Sequence, residues 1–147
     1  MLRELSNETA GAPPRPSHGH RLELVVLETD ATLAAAVLVR AHHLAAGLDA
    51  RITILSVCVL PYPLPFVPPA EAARQFRHRL EKLAAETGLP CRGRLVFARD
   101  LSQGLASALR PRSTVMIGVR PRWWPTHEER LARRLAAAGH YIAIVRV

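Results

Sequence analysis

Apolar residues from position 22 onward fall into five short, nearly continuous runs. The runs cover residues 22–27, 52–59, 94–98, 114–118 and 141–147. Continuous runs of this length, rich in Val, Ile and Leu, are typical of strands that are covered on both faces. The pattern therefore predicts five buried strands.

Between these runs, apolar residues recur every three or four positions, which predicts four helices. The first helix carries apolar positions from Leu33 to Leu48, and the second spans 70–87. Asp100 is placed to cap a third, short helix that ends before Pro111. The sequence of residues 126–129, Thr-His-Glu-Glu, is a capping box that opens a fourth helix, which ends at Gly139.

Strands and helices alternate strictly in this order, and strands this apolar need helices on both faces. The predicted fold class is α/β, an open five-stranded parallel sheet in a three-layer, Rossmann-like arrangement. Ligands of such sheets bind beyond the carboxyl ends of the strands, where the strand order switches. The loops to inspect are therefore residues 28–31 and 118–125.

The first 20 residues show no sustained periodicity and contain several Gly and Pro residues. We expect them to form a disordered tail, with the domain covering 21–147. His18 and His20 lie in this tail, and two histidines alone are weak evidence for a metal.

The chain has 147 residues, of which 49% are hydrophobic and 22% charged, as in a single globular domain. No apolar stretch is long enough to span a membrane and no signal peptide is evident, so a cytoplasmic protein is expected. The net charge of +8 is nearly all arginine, since Lys82 is the only lysine. A solvated basic surface is the favoured interpretation; an anion, a nucleic acid or an acidic membrane face is the alternative.

Several features together resemble the universal stress protein family, of the UspA type, over residues 21–147. The first strand ends in an acidic residue and a polar turn, a long Ala-rich helix follows, and the second strand leads into a proline-rich loop. The residues that carry the resemblance at the strand ends are Glu28, Thr29, Asp30, Asp100 and Gly118. The resemblance implies the same three-layer fold and a homodimer formed through the last strand, from Tyr141 to Val147.

The glycine motif of the ATP-binding members is not preserved. That motif has Gly, two residues, Gly, nine residues, then Gly and Ser or Thr. Counting from Gly118, the second glycine position holds Pro121, and the last two positions hold Leu131 and Ala132. Proline offers no amide and leucine is bulky, so the family's grip on a triphosphate is expected to be absent. Glu28 either takes the place of the acidic residue near the nucleotide or only ends a strand.

The loop after the fourth strand carries a different group of residues, which we call the Trp loop (residues 120–125, Arg-Pro-Arg-Trp-Trp-Pro). Indole rings stack on bases or pack into a partner, and arginine pairs with phosphate or carboxylate. The alternative is that one tryptophan only packs on the last helix. The candidate binding residues are Glu28, Thr29, Gly118, Arg120, Arg122, Trp123 and Trp124.

No catalytic constellation and no metal-ligand cluster is evident, so we expect neither an enzyme nor a bound cofactor. The favoured function is a regulatory or interaction domain that does not bind ATP in the family's standard way. The alternative is a binder of a nucleotide or another phosphate ligand at a rebuilt Arg and Trp site. A protein partner at Trp123 and Trp124 is open, and a nucleic-acid partner is the least favoured.

Overall fold

The computed structural model of the chain describes residues 22–147 in full and the backbone of Arg3–Glu8. The strands are Arg3–Glu8 (β1), Glu23–Leu27 (β2), Arg51–Val59 (β3), Arg92–Ala98 (β4), Thr114–Val119 (β5) and Tyr141–Arg146 (β6). The helices are Ala34–Ala46 (α1), Ala70–Thr87 (α2), Leu101–Ala108 (α3) and His127–Ala137 (α4). All five predicted strands and all four predicted helices are present.

The strands form one sheet in the order β1-β4-β3-β2-β5-β6, and β2 to β6 all run parallel. The chain builds outward from β2 to β3 and β4, then returns to place β5 on the other side of β2. The order therefore switches between β2 and β5. This arrangement confirms the predicted parallel α/β sheet, with its switch at the two loops selected from the sequence.

The sixth strand, β1, was not predicted and corrects the assignment of its residues to a tail. Its backbone pairs antiparallel with β4, from Arg3 opposite Phe97 to Glu8 opposite Arg92. Edge pairing uses backbone hydrogen bonds and requires no apolar run, so the hydrophobic pattern carries no signal for it. The other predicted tail residues, 1–2 and 9–20 with His18 and His20, lie outside the described residues.

The core is divided by the sheet into two layers, which confirms helices on both faces. One layer packs α1 and α2 on the sheet around Leu38, Phe76 and Phe97. The other packs α3 and α4 around Leu105 and Leu131. Within the part of the chain that the structure describes, no helix is long and apolar enough to cross a membrane.

The proline-rich segment between β3 and α2 is held in place by Arg99, which follows β4. The Arg99 guanidinium donates hydrogen bonds to the carbonyl oxygens of Leu60 (3.2 Å) and Leu64 (2.5 Å). It also lies 4.2 Å from the ring centre of Tyr62 and 5.2 Å from that of Phe66. Because proline lacks an amide hydrogen, this loop relies on a side chain for ordering.

Candidate functional site at the carboxyl edge of the sheet

The loops after β2 and β5 meet at the switch in strand order, where Arg120 joins them. The Arg120 guanidinium donates a hydrogen bond to the hydroxyl of Thr32 and lies 3.8 Å from Asp30 Oδ2. Thr32 and Arg120 are 88 residues apart in the chain. The topology therefore brings together the two loops that the sequence analysis selected.

Asp30 organises the turn that leads into α1. Its carboxylate accepts hydrogen bonds from the Thr32 hydroxyl at 2.7 Å and from the Thr32 amide at 2.9 Å. The pKa of Asp30 lies below its ordinary value of 3.8, mainly because of the hydrogen bond from the Thr32 hydroxyl. The bond from the Thr32 amide and the charge of Arg120 lower it further. Asp30 thus stabilises the turn that precedes α1, as expected of aspartate at such a position.

The carboxylate of Glu28 forms an ion pair with an arginine from α2. Arg79 donates to Glu28 Oε1 through Nη2 at 2.9 Å and through Nε at 3.1 Å. The Glu28 side chain is only 9% exposed and that of Arg79 is 37% exposed. The Arg79 guanidinium also lies 5.6 Å from the Phe76 ring centre. Glu28 is therefore a buried ion-pair partner, and its carboxylate is already satisfied within the chain.

The thiol of Cys58 lies close enough to Arg79 for the arginine charge to affect its pKa. Burial raises the pKa of Cys58, and the nearby Arg79 charge opposes this increase only in part. Burial also raises the pKa of Cys91. Both cysteines are free thiols. Since the thiolate is the nucleophile, neither cysteine has the environment of a reactive one.

An open cleft of about 550 Å³ lies at the switch itself. The residues that line it come from the turn after β2, the Trp loop and the first turn of α4: Asp30, Thr32, Leu33, Arg120, Arg122, Trp124, Pro125, Thr126, His127, Glu128 and Arg130. Arginine supplies three of these side chains, so the cleft can attract an anion. Its lining includes Arg120, Arg122 and Trp124, but not Glu28 or Trp123.

The N-terminus of α4 borders this cleft and already has its own anionic and hydrogen-bonding partners. The hydroxyl of Thr126 accepts a hydrogen bond from the Glu129 amide at 3.2 Å, as the capping box predicts. Glu128 and Glu129 place two carboxylates in the first turn. Negative side chains here stabilise the helix dipole, and they also repel an incoming phosphate.

The two positions at the end of the compared glycine motif lie inside α4 and face the core. Leu131 and Ala132 are both 3% exposed and pack against the sheet. The sequence comparison suggested that Leu131 would crowd the phosphate site. This is wrong, because the side chain of Leu131 faces the core. The helix instead begins four residues earlier, so its capped and acidic first turn precedes the position where the motif has its third glycine.

Gly118 is a packing residue beneath α1. A Cβ atom at this position would lie 2.7 Å from Val37 Cγ2 and 3.1 Å from Leu33 Cβ. The absence of a side chain allows β5 and α1 to approach closely. Close packing against α1 therefore explains a glycine at this position without the predicted role in binding a ligand.

Neither tryptophan packs into the fold. Trp123 is 100% exposed and Trp124 is 65% exposed. Their exposure therefore gives no support to the alternative that one tryptophan only packs on the last helix, although Trp124 lines the cleft beside the first turn of α4. Exposed tryptophans side by side are unusual, since burial of these large rings is favourable. The surface around them is the feature that the fold itself does not explain.

Sequence reasoning missed the partners of its candidate residues. Arg79 was not selected, although it lies beside the apolar line of α2, three positions after Phe76 and four before Leu83. A charge on the flank of a buried stripe was the available signal. Thr29, a predicted site residue, is exposed and lines neither the cleft nor the ion pair.

A second cavity, of about 450 Å³, lies at the opposite, amino edge of the sheet. Its charged lining consists of Glu23, Arg51, Arg92, Arg94 and Arg110. Arg92 and Arg94 already have partners. Among residues 22–147 no cluster of three or more metal-ligating side chains occurs.

The comparisons with known proteins agree with this geometry at the level of the fold. No protein-family model matches the sequence, and no curated protein matches it. The chain is similar to the crystal structure of a protein from the universal stress protein family from Burkholderia pseudomallei, with a TM-score of 0.53 and 23% sequence identity. The similarity covers 88% of this chain and 98% of that chain.

The parallel sheet, its switch point and this similarity define the class as a three-layer α/β protein. Within that class the chain has the UspA-like fold. The resemblance that the sequence analysis identified is confirmed at this level.

Proposed function

We propose that the chain is a non-catalytic regulatory or interaction domain that does not bind ATP in the manner of the ATP-binding universal stress proteins. The observation that carries this proposal is the first turn of α4, where Thr126 caps the Glu129 amide and two carboxylates follow. A triphosphate would need free amides and no negative charge at this point.

Two further observations support the proposal. Pro121 lacks an amide in the loop that would wrap the phosphates. Glu28, in the place of the acidic residue near the nucleotide, is held by Arg79 at 2.9 Å. A ligand that uses Glu28 would have to displace this buried pair.

Calorimetric titration with ATP, AMP and cyclic dinucleotides tests this proposal. We expect no saturable heat with ATP at millimolar concentration. Saturable binding of one ATP per chain would contradict it. The variants Glu128→Gln and Glu129→Gln sharpen the test, because removal of these charges should improve phosphate binding if repulsion is the cause.

We infer further that the chain forms a homodimer through β6. This strand forms one edge of the described sheet, and β1 forms the other. Tyr141 and Ile144 on β6 and Val147 directly after it are exposed. Beside it, Val39 and His43 of α1 help to line a cavity of about 470 Å³. A bare apolar edge strand is a template for pairing with a second copy.

Light scattering at increasing concentration tests the dimer. We expect Ile144→Lys to shift the equilibrium towards monomer, because edge charges oppose strand pairing. Leu64→Lys is a matched control, since Leu64 is also exposed but lies in the proline-rich loop. A wild-type monomer at high concentration would contradict the inference.

The second candidate function is the binding of a phosphate ligand in the cleft. The observation that favours it is the convergence of Arg120, Arg122 and Arg130 with His127 and Trp124 on one opening. Glu28 and Trp123, which the sequence analysis also assigned to this site, do not line the cleft. A thermal-shift screen with nucleotides and inorganic phosphate, repeated on Arg122→Gln, distinguishes this candidate from the first.

A further inference from the structure

The Trp loop combines complete exposure with a surrounding excess of positive charge. Trp123 has no covering neighbour, and Trp124 beside it is mostly exposed. Pro121 and Pro125 restrict the backbone on either side of the pair. The indole rings are thus presented to solvent by a loop of limited freedom at the carboxyl edge of the sheet, and neither ring belongs to the core.

Five arginines of the Trp loop and α4 form a set that we call the arginine rim (Arg120, Arg122, Arg130, Arg133 and Arg134). The first three line the cleft together with Trp124. The other two follow Arg130 at three and four positions along α4, so they extend the same helix face. All five are exposed.

The nearby carboxylates leave a net positive charge. Asp30 lies beside Arg120, and Glu129 lies 4.0 Å from Arg146. Glu128 is the third carboxylate, on the cleft wall. Within the described part of the chain, four of the rim arginines make no ion pair: Arg122, Arg130, Arg133 and Arg134.

From these observations we propose that the Trp loop and the arginine rim form a peripheral docking surface for an anionic lipid membrane. Tryptophan favours the interface between water and hydrocarbon, where its ring is buried and its N–H stays near polar groups. Arginines around it gain energy from the negative surface potential of acidic lipids. Two indole rings with a cationic surround provide both contributions that a reversible anchor requires.

The position of Trp123 favours a membrane over single-stranded nucleic acid. Nucleic-acid platforms place their aromatic rings along a cationic groove that follows the backbone. Here only one of the two tryptophans, Trp124, lines the cleft. Trp123 lies outside it and its whole side chain is exposed. A protruding ring suits insertion into a lipid layer. This inference goes beyond the proposed function, since it requires neither the dimer nor an empty phosphate site.

The chain supplies its own probe, because Trp123 and Trp124 are its only tryptophans. The experiment mixes the full chain with vesicles of phosphatidylcholine alone or with added phosphatidylglycerol. We expect sedimentation with the anionic vesicles only, a blue shift of tryptophan emission, quenching by brominated lipid, and weaker binding at high salt. The variants Trp123→Phe and Trp124→Phe assign the shift to one ring.

Paired variants separate insertion from simple charge attraction. Trp123→Ala with Trp124→Ala should weaken sedimentation by about ten-fold or more, because the apolar contact is lost. Arg122→Gln with Arg130→Gln should weaken it by about 25-fold, from about five-fold for each arginine. Arg74→Gln with Arg77→Gln removes the same charge from α2 and should change binding far less. Unchanged thermal melting verifies that each variant is folded.

Four outcomes would overturn the proposal. One is no sedimentation with anionic vesicles at low salt, and another is sedimentation without a blue shift. A third is equal loss of binding in the rim variant and the α2 variant, which would indicate net charge alone. The fourth is tighter binding of a single-stranded oligonucleotide than of vesicles with quenching of both tryptophans, which would assign the surface to nucleic acid.

Discussion

The ends of β2 and β5 lie side by side at the switch in the sheet, yet the side chains that follow them differ in burial and pairing. After β2, the carboxylate of Glu28 is covered and held by Arg79. After β5, the Trp loop exposes both indoles and most of its positive charge. The first region is internally satisfied, whereas in the second the side chains of Arg122 and Trp123 have no partner among residues 22–147.

The comparison shows that a charged residue at a strand end can belong either to a buried ion pair or to an exposed surface. A carboxylate at 9% exposure must have a partner, because a buried charge without one is costly. The ion pair therefore contributes to folding, whatever ligand the fold accepts elsewhere. Exposed arginines and tryptophans contribute little to folding. The proposed membrane surface would account for their presence here.

The largest effect is expected from removal of Arg79. Arg79→Met leaves the Glu28 carboxylate buried without its donors, and should lower the free energy of unfolding by about 2 kcal/mol. Urea denaturation measures this change. The matched control is Arg74→Met, which breaks the exposed pair with Glu71 at the same distance of 2.9 Å and should cost less than about 1 kcal/mol.

A double-mutant cycle tests whether the pair acts as a unit. Glu28→Gln and Arg79→Met together should cost less than the sum of the two single changes. Equal effects of Arg79→Met and Arg74→Met would show that the buried pair is no different from a surface one.

The next effect is expected at Gly118, where the loop region joins the core. Gly118→Ala places a Cβ 2.7 Å from Val37 and should cost about 1–2 kcal/mol through overpacking. Gly47→Ala is the control, since its added Cβ would meet only a backbone oxygen at 4.0 Å. Thermal melting should show a lower midpoint for the first variant only. A neutral Gly118→Ala would mean that β5 and α1 are loosely packed.

A smaller, pH-dependent effect is expected at Asp30. Its pKa is lowered in the folded chain, so its contribution to stability is present at neutral pH and disappears as pH falls through that lowered pKa, below 3.8. Asp30→Asn should therefore be less stable than the wild type at neutral pH and equally stable in stronger acid. A difference that stays constant across this range would contradict the conclusion that the charged form of Asp30 stabilises its turn.

The smallest effect on stability is expected at the tryptophans. Trp123→Ala should change the free energy of unfolding by less than about 0.5 kcal/mol, because the ring has no neighbours to lose. Urea denaturation followed by circular dichroism avoids dependence on tryptophan emission. A loss well above this value would place the ring in the fold rather than on a binding surface.

Local patterns predicted the fold well because they act over a few residues. The helix over 70–87 matches α2 at both ends, where Gly88 adopts a left-handed φ of 67°. The hydroxyl half of the capping box at Thr126 was also predicted, because the bond joins residues three positions apart. The switch between β2 and β5 followed from the order of the elements.

Contacts between distant residues were not predictable in the same way. Arg79 reaches Glu28 across 51 residues, and no spacing in the sequence marks that pair. The β1 strand was missed because backbone pairing at an edge leaves no hydrophobic pattern. The position of α4, which places Leu131 in the core rather than at the cleft, also depends on tertiary packing.

Amide chemical shifts in the presence of ATP test most directly whether the first turn of α4 is closed to phosphate. In a two-dimensional NMR titration, we expect the amide signals of the non-proline residues among 118–129 to stay unchanged up to millimolar ATP. Saturating shifts centred on the amides of His127, Glu128 and Glu129 would contradict this, because they would place the phosphates at a helix end that is acidic and already capped.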